Sequence, residues 1–198
     1  MFPARPRMIP SFGRVFCSIV TVLVVLPGVW SCASPPPPPP QRAAPGLYEW
    51  KDDGGPGEIS IHIDMRSQIA TIHRGNREVG WCYVATGRDG QRTPAGNFRV
   101  TEMVVDKISN RWGWQENEFG QVINPSARYD HPLPPGARFV PAPMPYWMRL
   151  TDWGIGLHGG IIPNPGSPAS AGCIRLPNDF APVLYREVKI GTPVKITL

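Results

Sequence analysis

The alternation of apolar and polar residues predicts a chain built mainly from β-strands. Ile59, Ile61 and Ile63 alternate with polar residues, which is typical of a strand with one buried face. Four further segments have strand-like character and are bounded by turn-forming residues, which predicts strands over 68–73, 79–86, 97–105 and 194–198. Short strands separated by turns favour a β-sandwich or a partly closed barrel over a helical bundle.

One segment near the C-terminus has the features of a helix. Asn178 is a good N-cap residue, and Gly191 lies beyond the predicted end of the helix. The apolar side chains between them form a stripe at helical spacing, made of Phe180, Val183, Leu184 and Val188. The predicted fold is therefore mainly β, with one helix packed on the sandwich or barrel near the C-terminus.

The long segment 107–150 contains many prolines, so we predict an irregular loop between two strands. Loops of this length in compact domains often form lids or walls of binding sites. Its aromatic residues either line such a site or cap the core. We place Tyr146 and Trp147 in a binding cleft, because they lead into the strand that ends at His158.

Composition and charge narrow the function classes. The chain has 198 residues, of which 21 are glycine and 26 are proline, and 18% are charged. This length suits one domain with appendages. Three of the 20 basic residues, Arg5, Arg7 and Arg14, lie in an N-terminal segment that we expect to be removed. The remaining charges nearly balance and include no basic block, so we predict no nucleic-acid partner.

Residues 1–31 are similar to an export signal of the lipoprotein type. The arginines precede an apolar run over 15–29 that is short for a membrane span. The run is followed by Ser31 and Cys32, as at a bacterial lipoprotein cleavage site, so Cys32 is the predicted lipidation site. An ordinary cleaved signal peptide and an uncleaved anchor are the alternatives. In each case we expect an exported, periplasmic domain, which the lipid would anchor to a bacterial membrane.

A proline-rich linker is predicted over 32–46, and the folded domain over 47–198. Six consecutive prolines over 35–40 favour a stiff polyproline II spacer. Such a spacer suits a domain that is held away from a membrane surface.

The strongest candidate chemistry is a cysteine–histidine pair. His158 and Cys173 each lie beside glycine, and the proline- and glycine-rich residues between them can fold back as a loop. An imidazole beside a thiol accepts its proton and leaves a nucleophilic thiolate. The carbonyl group of Gly159 is the candidate that orients the imidazole, because no acidic residue follows closely. The sequence therefore predicts a cysteine-dependent acyl-transfer enzyme.

Residues around the predicted nucleophile supply further candidates. The backbone N–H groups of Ala171, Gly172 and Cys173 are expected to form an oxyanion hole. A guanidinium at position 175 can bind a substrate carboxylate in a fork, and the hydroxyl at position 170 can form hydrogen bonds in the same loop. We assign substrate binding to four side chains, those of Arg175, Ser170, Tyr146 and Trp147.

Two structural alternatives compete with this site. In an oxidising compartment Cys82 and Cys173 could form a disulfide, although Cys82 lies in a strand-like run and is expected to pack as a small apolar residue. A zinc site would need a third ligand, which only His131 could supply by chance. We therefore predict no metal and no other cofactor.

Four motifs resemble the L,D-transpeptidase (YkuD-type) catalytic domain family, and the resemblance extends over 58–198. They are Thr93-Pro94-Ala95-Gly96-Asn97-Phe98, Leu157-His158-Gly159, Ser170-Ala171-Gly172-Cys173-Ile174-Arg175-Leu176 and Gly191-Thr192-Pro193-Val194. The resemblance implies a mainly β catalytic domain with Cys173 as nucleophile, His158 as base and Gly159 as the residue that orients the base. Family members usually have Ser-His-Gly-Cys, whereas this chain has Ala171 in place of the histidine. This departure is expected to affect rate, acceptor choice or substrate preference.

The resemblance also implies peptidoglycan stem peptides as substrates. The cysteine would attack the carbonyl group of the third stem residue, usually diaminopimelate, and expel the terminal D-alanine. An amine of a second diaminopimelate, or a lysine of a wall-attached protein, would then resolve the thioester. Two other functions remain open: an L,D-carboxypeptidase or amidase that uses water as acceptor, and a non-catalytic wall-binding lipoprotein, which Ala171 prompts.

Overall fold

The computed structural model describes residues 46–198, which belong to one compact unit of the chain. The predicted signal peptide over 1–31, the lipidation site Cys32 and all but the last residue of the predicted linker lie outside the described residues. Within the described part, no helix has the length and apolar character needed to cross a membrane.

The described residues form eleven strands and one helix, arranged as two sheets. In chain order the elements are β1 (Tyr48–Trp50), β2 (Ile59–Asp64), β3 (Ile69–Arg74), β4 (Arg77–Tyr83), β5 (Gly96–Arg99), β6 (Glu102–Glu116), β7 (Val122–Arg128), β8 (Arg138–Arg149), β9 (Gly156–Gly160), β10 (Ile174–Pro177), α1 (Ala181–Glu187) and β11 (Pro193–Thr197). One sheet has the order β1-β4-β3-β2-β11-β5 and the other β10-β9-β8-β6-β7. In this part of the chain neither sheet closes into a barrel, so the predicted mainly β fold is confirmed as its sandwich form.

The core is made of apolar side chains from both sheets and from α1. Ile59, Ile61 and Ile63 are 4%, 2% and 0% exposed, as their alternation predicts. Leu157 of β9 and Leu184 of α1 are fully buried in the same cluster. Full burial of such a side chain contributes about 2 kcal/mol to folding, so this cluster fixes the elements that carry the site.

The strands predicted for the first sheet are confirmed, with shifted ends. β2 covers 59–64 as predicted, whereas β3 begins one residue later than predicted because Gln68 lies in the preceding turn with φ +54. The predicted strand over 97–105 is divided between β5 and β6. The break falls at Val100, whose N–H donates to the carbonyl oxygen of Thr192 at 3.0 Å.

The prediction of an irregular loop over 107–150 is wrong, because this segment forms most of β6 together with β7 and β8. The prolines that suggested a loop occupy alternate positions of β8, at Pro141, Pro143 and Pro145. Alternate residues of a strand turn their backbone nitrogens to the same edge, so one edge of β8 keeps its donors. That edge can pair with β6, whereas β9 pairs with β8 only at Met148 and Arg149.

The predicted helix is present but begins later than the sequence suggested. Phe180 occupies the N-cap position of α1 and forms no side-chain capping hydrogen bond. The predicted cap, Asn178, belongs instead to a turn in which Phe180 N–H donates to the carbonyl oxygen of Pro177 at 3.0 Å. Phe180 and Leu184 are fully buried, so the apolar stripe packs on the core as predicted.

Candidate active site

A cleft of about 610 Å³ opens beside the parallel strands β9 and β10. Its walls come from the loop between β4 and β5, from the middle of β6, from β8, and from the turn between β8 and β9. Both members of the predicted pair, His158 and Cys173, line this cleft. Folding therefore brings the candidate base and the candidate nucleophile to one site.

The register of β9 and β10 explains why these side chains share the cleft. Leu157 lies opposite Ile174, and His158 lies opposite Arg175. Leu157 and Ile174 are fully buried in the core, and successive residues of a strand point to opposite faces. His158 and Arg175 therefore face the cleft, and Cys173, two residues before Arg175, faces the same side.

The imidazole of His158 is held through Nδ1, which lies 2.8 Å from the carbonyl oxygen of Gly159. Since a carbonyl oxygen only accepts, we assign the proton to Nδ1 and leave Nε2 as the basic nitrogen. Burial lowers the pKa of His158 to about 4; the Gly159 carbonyl opposes this shift, and the charge of Arg175 adds to it. The imidazole is thus neutral at pH 7 and able to accept a proton.

The two cysteines of the described residues are both free, so the disulfide alternative is wrong. Cys82 is fully buried in the core, and burial raises the pKa of its thiol. It packs as a small apolar residue, as predicted. Cys173 is only half-buried and stays open to the cleft.

The thiol of Cys173 is protonated before reaction. Its Sγ lies 3.6 Å from the carbonyl oxygen of Gly154, which can accept the thiol proton. Burial raises the pKa of this thiol, while a backbone hydrogen bond from Gly156 and the charge of Arg175 act in the opposite direction. The resting pair is therefore a neutral thiol and a neutral imidazole.

The loop that carries Cys173 is held by hydrogen bonds. The Ser170 hydroxyl donates to the carbonyl oxygen of Cys173 and accepts from the N–H of Gly172 at 3.0 Å. Thr93 Oγ1 donates to the carbonyl oxygen of Gly172 at 2.7 Å and accepts from the N–H of Gly87 at 2.8 Å. Gly172 has φ +120, a conformation that favours glycine. These contacts give the loop a defined shape.

This network bears on two predicted roles. Because the Gly172 N–H already donates to Ser170, the N–H groups of Ala171 and Cys173 remain as the candidates for an oxyanion hole. Ser170 borders the cleft, but it is 1% exposed and its hydroxyl is bonded within the loop. The structure thus shows a loop-supporting role, and substrate binding by Ser170 stays a prediction. Thr93 was not among the predicted site residues, and its only sequence signal was its place in the Thr-Pro-Ala-Gly motif.

Of the two aromatic residues predicted to line the cleft, Trp147 does so and Tyr146 does not. The ring of Trp147 is buried, its centroid lies 6.2 Å from that of His158, and its Nε1 donates to Glu102 at 2.9 Å. Tyr146 packs against the core and meets Tyr185 edge to face at 5.6 Å. Neighbouring residues of a strand face opposite sides, so only one of the pair can reach the cleft.

Arg175 lies in the cleft with no carboxylate partner among residues 46–198. Its Nη1 is 3.5 Å from the carbonyl oxygen of Ile161, which is a long contact. Burial and the charge of Arg88 lower the pKa of Arg175. A guanidinium stays charged under these conditions, so Arg175 offers an unneutralised cation to a ligand.

The cleft wall contains further cationic residues that the sequence did not indicate, and aromatic residues for which the sequence left open a place in a site or on the core. Four cationic side chains line it besides Arg175, those of Arg92, Lys107, Arg111 and Arg149. One acidic side chain, Asp152, lies among them, and the aromatic lining besides Trp147 consists of Trp112, Tyr129 and Trp153. Several come from the segment that was predicted to be a loop, so no strand pattern placed them on one face.

Comparison with known families decides the relationship of the chain. The family model of the YkuD L,D-transpeptidase catalytic domain matches residues 58–196. The chain belongs to this family. The resemblance drawn from the four motifs is thereby confirmed.

Relatives of known name or structure agree with the L,D-transpeptidase assignment. A Bacillus subtilis (strain 168) relative, provisionally named L,D-transpeptidase YqjB, is 31% identical over 144 residues, which cover 72% of this chain and 73% of the relative. The structure of the L,D-transpeptidase from Mycobacterium smegmatis has a TM-score of 0.55 at 19% identity, over 71% of this chain and 59% of that one. The catalytic domain of the E. faecium L,D-transpeptidase has a TM-score of 0.52 at 23% identity, over 73% of this chain and 100% of that one. These two structures show the shared fold.

L,D-transpeptidases of this family act on peptidoglycan stem peptides through a cysteine-dependent mechanism. In this L,D-transpeptidase domain, the motif residues His158, Gly159, Cys173 and Arg175 meet at the two parallel strands beside the cleft. Ala171, where the family usually has histidine, also lines the cleft. Its backbone N–H is retained, while the histidine side chain of the usual motif is absent.

Proposed function

We propose that this protein is a cysteine-dependent L,D-transpeptidase of the bacterial cell wall, with Cys173 as nucleophile and His158 as general base. The observation that carries the proposal is the imidazole held by Gly159 in the cleft that also contains a free thiol. The proposed substrates are peptidoglycan stem peptides, on which the family acts.

In the first half-reaction, Sγ of Cys173 attacks the carbonyl carbon of the third stem residue while Nε2 of His158 takes the thiol proton. The N–H groups of Ala171 and Cys173 would donate to the carbonyl oxygen as it gains charge, and one such donor is worth about 3 kcal/mol of barrier. The C–N bond to the terminal D-alanine then breaks, and the imidazolium returns the proton to the leaving amine. The products are free D-alanine and a thioester on Cys173.

The electrostatics of the site favour proton transfer during the attack over a preformed ion pair. Burial opposes the imidazolium form of His158 and the thiolate form of Cys173, so both groups are neutral before substrate binds. The developing charges are stabilised only when the carbonyl carbon is in place.

In the second half-reaction, an amine acceptor attacks the thioester carbonyl and loses a proton to His158. The C–S bond breaks, and the proton returns to Sγ. Stem peptides contain carboxylates, and Arg175 offers a guanidinium beside His158 without a carboxylate partner among residues 46–198. We assign carboxylate binding to Arg175, with Arg92 and Arg111 supplying further positive charge along the cleft wall.

The purified full-length protein should convert disaccharide tetrapeptides into 3–3 cross-linked dimers with release of D-alanine. Because Cys173 forms the covalent intermediate, Cys173→Ala should reduce dimer formation at least about 10³-fold, to the background level. Mass spectrometry of the products measures the dimers. The matched control is Cys82→Ala, which removes the second free thiol of residues 46–198, one that lies outside the cleft, and should keep dimer formation.

The same experiment separates the other functions. Hydrolysed monomers without dimers would show that water is the acceptor and that the enzyme is an L,D-carboxypeptidase. Unchanged tetrapeptide together with retention on purified peptidoglycan would contradict catalysis and support a wall-binding protein. Ala171 is the reason for testing this last outcome, because it replaces the histidine that the family usually has beside the nucleophile.

We also propose that residues 1–31 direct export to the periplasm and that Cys32 carries the lipid. The proposal rests on the arginines, the apolar run and the Ser31–Cys32 pair in the sequence. Palmitate fed to bacterial cells should label the wild-type chain and not Cys32→Ser. A wild-type chain without label would contradict lipidation, and fractionation of the same cells would still test export.

A further inference from the structure

We propose that Gln68, a buried residue outside the cleft, is a positioning residue that fixes the loop of Cys173 through Thr86 and Ser170. The proposal rests on the proposed function of Cys173 as the nucleophile. Gln68 lies in the turn between β2 and β3 and does not line the cleft. It therefore acts through other residues and not on substrate.

The side chain of Gln68 binds Thr86 at two points. Its Nε2 donates to Thr86 Oγ1 at 2.7 Å and to the carbonyl oxygen of Met65 at 2.7 Å. Its Oε1 accepts from the N–H of Thr86 at 2.8 Å. Gln68 is 1% exposed and Thr86 is 2% exposed, so water does not replace these bonds. The primary amide uses both donors and its acceptor oxygen, a set that no other side chain except asparagine provides.

Thr86 in turn holds the start of the nucleophile loop. Its carbonyl oxygen accepts from the N–H of Ala169 at 3.0 Å and from the N–H of Ser170 at 2.9 Å. Ser170 then bonds Gly172 and Cys173 through its hydroxyl. A continuous chain of hydrogen bonds thus leads from the amide of Gln68 to the carbonyl group of the nucleophile.

The neighbours of Thr86 hold both ends of the same loop. On the C-terminal side of Cys173, Ala85 and Arg175 exchange two backbone hydrogen bonds, of 3.1 and 3.0 Å. On its N-terminal side, Arg88 N–H donates to the carbonyl oxygen of Ser170 at 3.1 Å. Residues 85–88 therefore hold the loop by backbone hydrogen bonds on both sides of Cys173, and Gln68 holds this segment at Thr86.

Variants at Gln68 and Thr86 separate the loss of these hydrogen bonds from a change of side-chain shape. Gln68→Met keeps the length of the side chain and removes all three hydrogen bonds of the amide. Thr86→Val removes only the hydroxyl that accepts from Gln68, while Thr86→Ser keeps that hydroxyl. Gln115→Met is the matched control, because Gln115 is a buried glutamine of β6 whose Nε2 donates to the carbonyl oxygen of Pro132 at 3.2 Å.

The experiment measures three quantities on the full chain: the melting temperature, kcat and KM for tetrapeptide cross-linking, and the rate of Cys173 alkylation by iodoacetamide against pH. For Gln68→Met we expect kcat to fall at least tenfold with KM within twofold. We also expect the alkylation midpoint to move to lower pH, because a loosened loop exposes the thiol. Thr86→Val should show the same changes to a smaller degree, and Thr86→Ser and Gln115→Met should remain within twofold of wild type.

Wild-type kcat and an unchanged alkylation profile in folded Gln68→Met would overturn the proposal. An equal loss of kcat in Gln115→Met would also overturn it, because the loss would then follow from general destabilisation of the domain and not from the contact with Thr86. If Gln68→Met does not fold, the contrast between Thr86→Val and Thr86→Ser decides. Absence of cross-linking by the wild type would overturn the proposed function. The positioning role of Gln68 could still be tested, because alkylation of Cys173 does not require acyl transfer.

Discussion

A buried imidazole that resists protonation links folding to pH at a single residue. Burial lowers the pKa of His158 from 6.5 to about 4 in the folded domain. Between these values the unfolded chain binds a proton that the folded domain does not. The free energy of unfolding therefore falls as the pH decreases from 6.5 towards 4, and above about pH 7 this group has no effect on it.

Lowering the pH from about 7 to about 5 should reduce the free energy of unfolding by about 2 kcal/mol through His158. His158→Gln lacks the titrating ring, so its free energy of unfolding should change by about 2 kcal/mol less over the same interval. Urea unfolding of both proteins at the two pH values measures this difference. Equal changes in the two proteins would disprove the linkage.

At the scale of elements, β6 changes register with β8 between Ile108 and Gly113. Ser109 is buried in this irregular part, and its hydroxyl accepts from the N–H of Arg111 at 3.2 Å and of Trp112 at 2.9 Å. Arg111 and Trp112 both line the cleft. One buried hydroxyl thus sets the shape of the wall that faces substrate.

Ser109→Ala should weaken substrate binding more than it weakens the chemical step. Two backbone N–H groups lose their acceptor, which costs about 1–2 kcal/mol of stability and lets the wall move. We expect KM for the tetrapeptide to rise about fivefold, which corresponds to about 1 kcal/mol, with kcat within about twofold. Steady-state kinetics measures both constants. Ser60→Ala in β2, outside the cleft, should leave them unchanged, and an unchanged KM in Ser109→Ala would refute this role.

The sequence predicts an element when its own residues carry the signal. The alternation of Ile59, Ile61 and Ile63 located β2. The prolines of β8 suggested a loop, because the sequence does not show that they leave the N–H donors of one strand edge available for pairing. The same distinction applies at the site. His158 and Cys173 lie beside glycines and within family motifs, so the sequence located them. Gln68 and the cleft-lining residues Arg111 and Trp112 of β6 depend on partners from other parts of the chain, which no local pattern reveals.

For the molecule as a whole, charge is distributed unevenly between the cleft and the rest. Five cationic side chains and one acidic side chain line the cleft, and one of the five, Arg149, is paired with Glu102 at 2.8 Å. Elsewhere many charges are paired, as between Arg77 and Asp53 or Lys189 and Glu58. The cleft therefore attracts anionic ligands, and this attraction is screened by salt.

Raising the NaCl concentration from about 50 to about 500 mM should increase KM for an acidic stem peptide about threefold, because screening weakens attraction into the cleft. Arg111→Gln should raise KM at low salt and reduce its salt dependence. Arg99→Gln, which changes an arginine outside the cleft, is the control and should behave as wild type. Initial rates at several salt concentrations measure these effects. A salt-independent KM would rule out electrostatic attraction.

The parallel pairing of β9 with β10 holds the two strands together independently of the middle of the connection between them. Leu157 and Ile174 anchor the two strands in the interior, whereas residues 163–168 lie on the surface and contribute nothing to the lining of the cleft. A reporter peptide inserted there, or a nick made by a protease, should leave the proposed base and the proposed nucleophile in register. The catalytic half-sites could thus be supplied by two complementing fragments that reassemble on a common core.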